Sequence, residues 1–285
     1  MTLIETIIIA IVEGLTEFLP VSSTGHMIIT QNLLGIEQGD AFVHAFTFII
    51  QFGAILSVVC LYWKRFFNVD HTPAPAGASW FGKLKHRYSF YWLLFVGVLP
   101  AVVIGMLAKK SGLLDWLLDS VEVVAVMLVL GGIFMLFCDK IFNKPNEKQN
   151  ITEKKAFYIG LFQCISVIPG VSRSMSTIVG GMAQGLTRKR AAEFSFFLAV
   201  PTMAGATLLD LLDLMKEEGS WATTSNLTML LVGCVVAFVV ALLAMKWFVN
   251  FVSKYGFKAF GVYRIVVGLI LLILILSGHS LSMVD

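Results

Sequence analysis

Residues Glu13-Gly14-Leu15-Thr16-Glu17-Phe18-Leu19-Pro20-Val21-Ser22-Ser23-Thr24-Gly25-His26 lie inside an apolar run that extends from Leu3 to Leu34. Pro20 interrupts any helix formed by that run. Each side is then only about 12–16 residues long. Crossing a hydrocarbon core about 30 Å thick takes about 20 helical residues. A second run, Ala156–Leu186, is broken in the same way by Pro169-Gly170. A broken helix at membrane depth is tolerated where protein buries it or where it lines a polar cavity. Both runs therefore read as re-entrant helix–turn–helix pairs, 3–34 and 156–186.

The rest of the chain suits a membrane setting. It has 285 residues, 58% hydrophobic and 14% charged, where a soluble domain carries about 25% charge. Six apolar runs are long enough to span: Ala41–Trp63, Tyr91–Ala108, Val121–Cys138, Phe194–Leu214, Leu227–Val249 and Gly261–Leu276. Lys64–Arg87, Asp139–Lys155, Arg188–Arg190 and Lys246–Arg264 hold 17 of the 21 Lys and Arg residues, so these segments should be cytoplasmic. Asp115, Asp119, Glu122, Asp210, Asp213, Glu217 and Glu218 fall on the opposite side. The six spans thread these loops only if both broken pairs return to the side they left. The first pair then enters from outside, the second from the cytoplasm, and both termini lie outside. The net charge of +3 adds little to this.

Sliding the sequence on itself by 150 residues places Glu13 on Gln163, Thr16 on Ser166, Phe18 on Ile168, Val21 on Val171, Ser22 on Ser172 and Thr24 on Ser174. The expected fold is one all-α integral membrane domain, residues 1–285. It has six transmembrane helices plus two re-entrant pairs in an inverted-topology repeat, with repeat 1 at about 1–142 and repeat 2 at about 151–280. In such folds broken helices meet near the midplane and form the site there.

The first motif places Glu13 and Glu17 one helical turn apart on one face. Two buried like charges need a cation or a proton between them. A divalent metal, Mg²⁺ or Ca²⁺, held by Glu13 and Glu17 is one solution. After the break, Ser22, Ser23 and Thr24 bring hydroxyls and backbone N–H groups to a helix start, which suits an anion. His26 follows Ser22 by four residues and Ser23 by three, within reach of either. The second motif, Pro169-Gly170-Val171-Ser172-Arg173-Ser174-Met175-Ser176-Thr177, again opens a helix with hydroxyls. Arg173 is its intramembrane charge, and a planar fork matches phosphate oxygens. Ser172, Ser174 and Thr177 complete the expected cradle with Ser22, Thr24 and Arg173.

Plainer readings stand beside these. Ser and Thr in membrane helices often just bond a preceding carbonyl or join helices. Glu13, Glu17 and Arg173 could be an ion pair that only holds the repeats together, and His26 a satisfied core histidine. Taken together, two acids, an arginine, a histidine and six hydroxyls at two broken helices point to an anion site. Gln51 and Glu193 lie in or beside spans at its margin. Arg264, near a cytoplasmic helix end, reads as a snorkelling side chain. His44, His71, His86 and His279 carry no assigned role. Cys60, Cys138, Cys164 and Cys234 lie in apolar runs without metal-ligand spacing. The 23 Phe residues read as lipid-facing or packing surface. No basic n-region opens the chain, so removal of a signal peptide is not expected.

The two motifs resemble the signatures of the bacterial undecaprenyl-diphosphate phosphatase family, the bacitracin resistance proteins. Ala192-Glu193-Phe194-Ser195-Phe196, Ala199-Val200-Pro201 and Gly205-Ala206-Thr207 resemble that family too. The resemblance implies a multi-pass protein of the bacterial cytoplasmic (inner) membrane. It implies hydrolysis of undecaprenyl diphosphate to undecaprenyl phosphate and inorganic phosphate for peptidoglycan synthesis, with bacitracin resistance as a consequence. Carried over, the family's acids are Glu13 and Glu17, its hydroxyl and imidazole Ser23 and His26, and its phosphate-binding arginine Arg173. The attacking group stays open between Ser23, His26 and water. The expected partners are a polyprenyl diphosphate lipid, membrane lipid and a second copy of the chain in a homodimer, with no nucleic acid. The active site is expected to open to the outer face. The rival reading is a transporter or flippase for a polyprenyl phosphate, since inverted repeats also build transporters. The glutamate pair and His26 exceed what anion binding needs.

Overall fold

The computed structural model describes residues 1–36, 41–112, 120–143, 145–146, 150–214 and 223–277. Regular structure among them is helical throughout. Asp115, Asp119, Glu217 and Glu218, expected on the outer side, lie outside the described residues, as does His279.

The first broken run forms α1 (Leu3–Thr16) and α2 (Ser23–Leu34). Thr2 and Glu5 cap α1 reciprocally: Thr2 N–H donates to Glu5 Oε2 at 2.7 Å, and Glu5 N–H to Thr2 Oγ1 at 3.3 Å. The helix stops before Pro20, as the absent N–H requires. The second run forms α8 (Glu153–Gln163), a 3₁₀ turn (Cys164–Val167) and α9 (Arg173–Ala183). Ser22 and Ser172, paired by the 150-residue offset, are the N-caps of α2 and α9. They are the two non-glycine residues with positive φ among those described, at 71° and 79°. Such a conformation is uncommon for serine and stores strain.

Among the described residues, six helices are long and apolar enough to cross a membrane. They are α3 (Ala41–Leu61), α6 (Ser89–Lys110), α7 (Val121–Ile141), α10 (Arg188–Leu214), α11 (Thr224–Tyr255) and α12 (Lys258–Leu276). Most extend beyond the expected apolar runs because their ends continue into charged residues such as Lys109, Arg188, Lys254 and Lys258. The short helices α4 (Trp63–Phe67) and α5 (Trp80–Arg87) lie between α3 and α6. Phe52, Phe95, Phe134, Leu208, Leu231 and Leu269 are exposed on the six long helices. Apolar surface on this scale faces lipid; the chain is a multi-pass membrane protein.

The helices pack across the two halves. α1 and α3 lie against α11, α8 and α10 lie against α6, and α7 lies against α12. Small residues permit the crossings. A Cβ on Gly14 of α1 would come within 2.8 Å of the Ala237 carbonyl on α11, and one on Gly132 of α7 within 2.7 Å of the Gly261 carbonyl on α12.

Candidate active site

The two turns meet. Ser174 Oγ, at the start of α9, donates to the Leu19 carbonyl in the first turn at 2.7 Å. Arg173 Nη2 donates to Glu17 Oε1 at 2.8 Å, with side-chain exposures of 13% and 8%. Ser23 Oγ donates to the other oxygen of the same carboxylate, Glu17 Oε2, at 2.7 Å. Glu17 thus joins a hydroxyl of one motif to the arginine of the other, 156 residues away. Glu13 is buried one turn back, its carboxyl beside that of Glu17.

Arg173 is fixed by more than Glu17. Its Nη1 donates to the Ser195 carbonyl at 3.3 Å, and the guanidinium lies 5.7 Å above the Phe18 ring. Phe18 in turn packs edge-on against Phe196 at 5.5 Å. Two buried atoms here have no hydrogen-bond partner, Glu13 Oε1 and Arg173 Nε. One is an acceptor suited to a cation or a proton, the other a donor suited to an anion. Such orphaned groups are uncommon in native interiors, and a ligand, an ion or water is what can satisfy them.

His26 sits apart from Ser23. Its Nδ1 lies 2.7 Å from the Ser22 carbonyl, so that nitrogen carries the proton. Nε2 then accepts from Tyr263 Oη at 2.7 Å, with the two rings nearly parallel at 7°. The hydrogen-bond acceptor of Ser23 is Glu17 rather than His26.

The remaining hydroxyls, apart from Thr24, are already engaged. Ser22 and Ser172 accept from the amides of Gly25 and Met175 as caps. Ser172 Oγ also lies 3.0 Å from Ser174 Oγ. Thr177 donates to the Arg173 carbonyl at 3.0 Å and lies 2.6 Å from Ser195 Oγ. Thr24 is exposed. The structure therefore brings Glu13, Glu17, Ser23 and Arg173 together directly. Ser22, Ser172, Ser174 and Thr177 surround them, largely as struts and caps, and His26, on α2, is engaged instead with the Ser22 carbonyl and with Tyr263 of α12.

The expectation that Arg264 snorkels is overturned. Its side chain is fully buried. Its five N–H donors go to main-chain carbonyls of both turns and of α7. Lys258 is the first residue of that helix, and Arg264 lies almost two turns further in. Tyr263 and Ser195 also went unsingled in the sequence. A tyrosine near a span end reads as an interfacial aromatic, so no signal set it apart. For Arg264 the signal existed: an arginine within a span.

The family model for Bacitracin resistance protein BacA matches residues 6–270. The chain belongs to that family. Its similarity to curated relatives runs end to end. An undecaprenyl-diphosphatase of Porphyromonas gingivalis is 56% identical over 283 residues, covering 99% of this chain and 100% of the relative. One of Flavobacterium psychrophilum is 52% identical over 284 residues, and one of Bdellovibrio bacteriovorus 49% over 288, each covering 100% of both chains. Both BacA-like motifs described above fall inside the matched span.

Proposed function

We propose that this chain hydrolyses the diphosphate of undecaprenyl diphosphate, giving undecaprenyl phosphate and inorganic phosphate and so recycling the lipid carrier for cell-wall synthesis. The observation that carries the mechanism is the Glu17 carboxylate, held on one oxygen by Ser23 Oγ–H and on the other by Arg173 Nη2. A nucleophile beside a base, itself oriented by a third group, is the arrangement covalent catalysis needs.

Ser23 Oγ attacks the terminal phosphorus while its proton passes to Glu17 Oε2. The bridging P–O bond breaks, and its electron pair leaves with undecaprenyl phosphate. Water then attacks the phosphoserine. The proton on Glu17 returns to Ser23 Oγ as that bond breaks, and inorganic phosphate departs with the oxygen of water. Arg173, through its unpartnered Nε, stabilises charge on the transferring phosphoryl group. His26 has both ring nitrogens engaged, so attack by its Nε2 first requires loss of the Tyr263 hydrogen bond. That favours Ser23.

A divalent cation fits the donor set. Mg²⁺ and Ca²⁺ take hard oxygens, and Mg²⁺ commonly uses one or two carboxylates plus substrate phosphate oxygens and water. Glu13 Oε1 is an unpartnered buried carboxylate oxygen, and Glu17 adds a second carboxylate. Among the described residues no three acids, histidines or cysteines converge, so substrate oxygens would complete the shell. Bound there, the cation would neutralise charge on the diphosphate.

The cross-half packing and the matched positive φ of Ser22 and Ser172 support the inverted-repeat reading, with the prenyl tail in lipid and the headgroup at the meeting turns. Purified protein in detergent, given undecaprenyl diphosphate, should release phosphate, and chelator should slow the release. No release with any divalent cation would overturn the hydrolase reading. Acid quenching of a reaction with terminally labelled substrate separates the nucleophiles. An acid-stable labelled protein supports Ser23, whereas an acid-labile one, as a phosphohistidine is, points to His26.

A further inference from the structure

Arg264 has no carboxylate partner among the described residues. It is nevertheless fully buried on α12. A buried guanidinium is retained at a cost that a well-packed apolar side chain would avoid. Its hydrogen bonds show what it does. Nη1 donates to the Pro20 carbonyl at 3.2 Å and to the Val171 carbonyl at 3.1 Å. Nη2 donates to the Gly170 carbonyl at 2.7 Å and to the Met127 carbonyl at 3.1 Å, and Nε to the Leu128 carbonyl at 3.4 Å. Pro20 and Gly170 are partners under the 150-residue offset. One side chain therefore grips the equivalent peptides of both turns and fastens them to α7.

Gripping a carbonyl fixes the amide behind it. In a planar trans peptide the C=O and N–H point in opposite directions. Of the three turn peptides held by Arg264, two have N–H groups already used locally: Val21 donates to the Leu19 carbonyl at 2.8 Å and Val171 to the Ile168 carbonyl at 3.3 Å. The third, Val171–Ser172, turns its Ser172 N–H away from Arg264, and that N–H has no acceptor among the described residues. It stands at the cap of α9, next to Arg173 with its own unpartnered Nε. The first amides of α9 add further donors there. The neighbouring residue on α12, Tyr263, holds His26.

We propose that Arg264 is a positioning residue for the phosphate pocket: its fork sets the peptide planes of both turns, so that the Ser172 N–H and Arg173 face the transferring phosphoryl group. This rests on the hydrolase reading above. Its force is in the transition state, where aligned donors matter most. Lysine would keep the charge but not the five-donor fork.

Two variants reach the same guanidinium by different routes. Arg264→Lys removes the fork. Gly131→Ala leaves Arg264 in place but puts a Cβ against its Nη2 and 3.0 Å from its Cζ. The readouts are kcat, KM and the inhibition constant of vanadate, which mimics the transferring phosphoryl group. KM and the inhibition constant do not depend on how much of the protein is active. Arg264→Lys should lower kcat by about 10²-fold, the scale of losing an aligned donor. KM should stay within about threefold, and vanadate should bind correspondingly more weakly. Gly131→Ala should change the same two quantities in the same direction by a smaller factor. In the double variant the two effects should not multiply, because the shorter lysine leaves room for the new methyl.

If Arg264 is merely structural, activity falls with the yield of folded protein while vanadate inhibition is unchanged; that result overturns the proposal. So does full kcat in Gly131→Ala, which tests the idea even if Arg264→Lys fails to fold. Wild-type protein that releases no phosphate would sink the hydrolase reading instead, so the two failures are distinct.

Discussion

At Glu17, an amide would keep the shape and lose the charge that both Ser23 and Arg173 use. Glu17→Gln leaves Arg173 buried without its acid, and breaking a buried pair from one side costs about 3–5 kcal/mol. We expect kcat to fall by about 10³-fold, with a lower unfolding temperature in detergent. Arg173→Lys keeps a positive charge near Glu17 but gives up the donors to the Ser195 carbonyl and the free Nε. It should lower kcat by about 10²-fold while the protein stays folded, checked by phosphate release per mole of monodisperse protein. Retained full activity would remove Arg173 from the mechanism. These side chains were legible in the sequence because charge inside an apolar run is expensive and rarely idle. The hydroxyls were less legible. Ser174 and Thr177 look like ligand groups in the sequence, yet their hydrogens go to the Leu19 and Arg173 carbonyls. The Thr177 back-bond to the preceding turn depends on rotamer, and the Ser174 bond on how the two turns meet, neither of which composition reveals.

The helices meet through particular glycines, and these separate packing from chemistry. At Gly53 of α3 a Cβ would overlap the Cys234 backbone on α11, and main chain cannot yield as a side chain can. Gly53→Ala should destabilise by about 1–3 kcal/mol, visible as a lower unfolding temperature, with near-normal kcat in the fraction that remains folded. Gly105 of α6 is the control, since a Cβ there meets nothing within 4 Å. Gly105→Ala should be neutral or slightly stabilising, because alanine favours helix over glycine by about 1 kcal/mol. The element plan was legible at the same level. Pro20 and Pro169-Gly170 announced the two breaks, and six apolar runs announced six helices. The positive φ of Ser22 and Ser172 was not legible, because serine seldom adopts it and no glycine marked the place. Only the assembled turns, gripped by Arg264 and by the Ser174–Leu19 bond, hold those backbones there.

Across the whole molecule, each broken pair leans on a long helix of the opposite half, and α7 with α12 forms the seam that carries Arg264 and Tyr263. The sequence foresaw two broken segments converging. It did not foresee that one residue outside both would hold them, because Arg264 lies 94 residues from Gly170 and 244 from Pro20. Orientation in the bilayer follows from the charge bias alone: seventeen of 21 basic residues fall in four segments that should face the cytoplasm. On that orientation the first pair is expected to enter from outside, with the start of α2 opening to that face. Thr24 is exposed and, among the described residues, makes no side-chain hydrogen bond that a cysteine would break. Thr24→Cys, in a background with exposed Cys60 replaced by alanine, should react with a membrane-impermeant thiol reagent in intact spheroplasts. Saturating undecaprenyl diphosphate should slow the labelling, because Thr24 follows Ser23 at the helix start. Lys85→Cys, in a segment expected to be cytoplasmic, should react only after permeabilisation. Labelling of Thr24→Cys that also requires permeabilisation would invert the orientation and place substrate entry on the cytoplasmic side, while leaving the chemistry at Glu17 and Arg173 untouched.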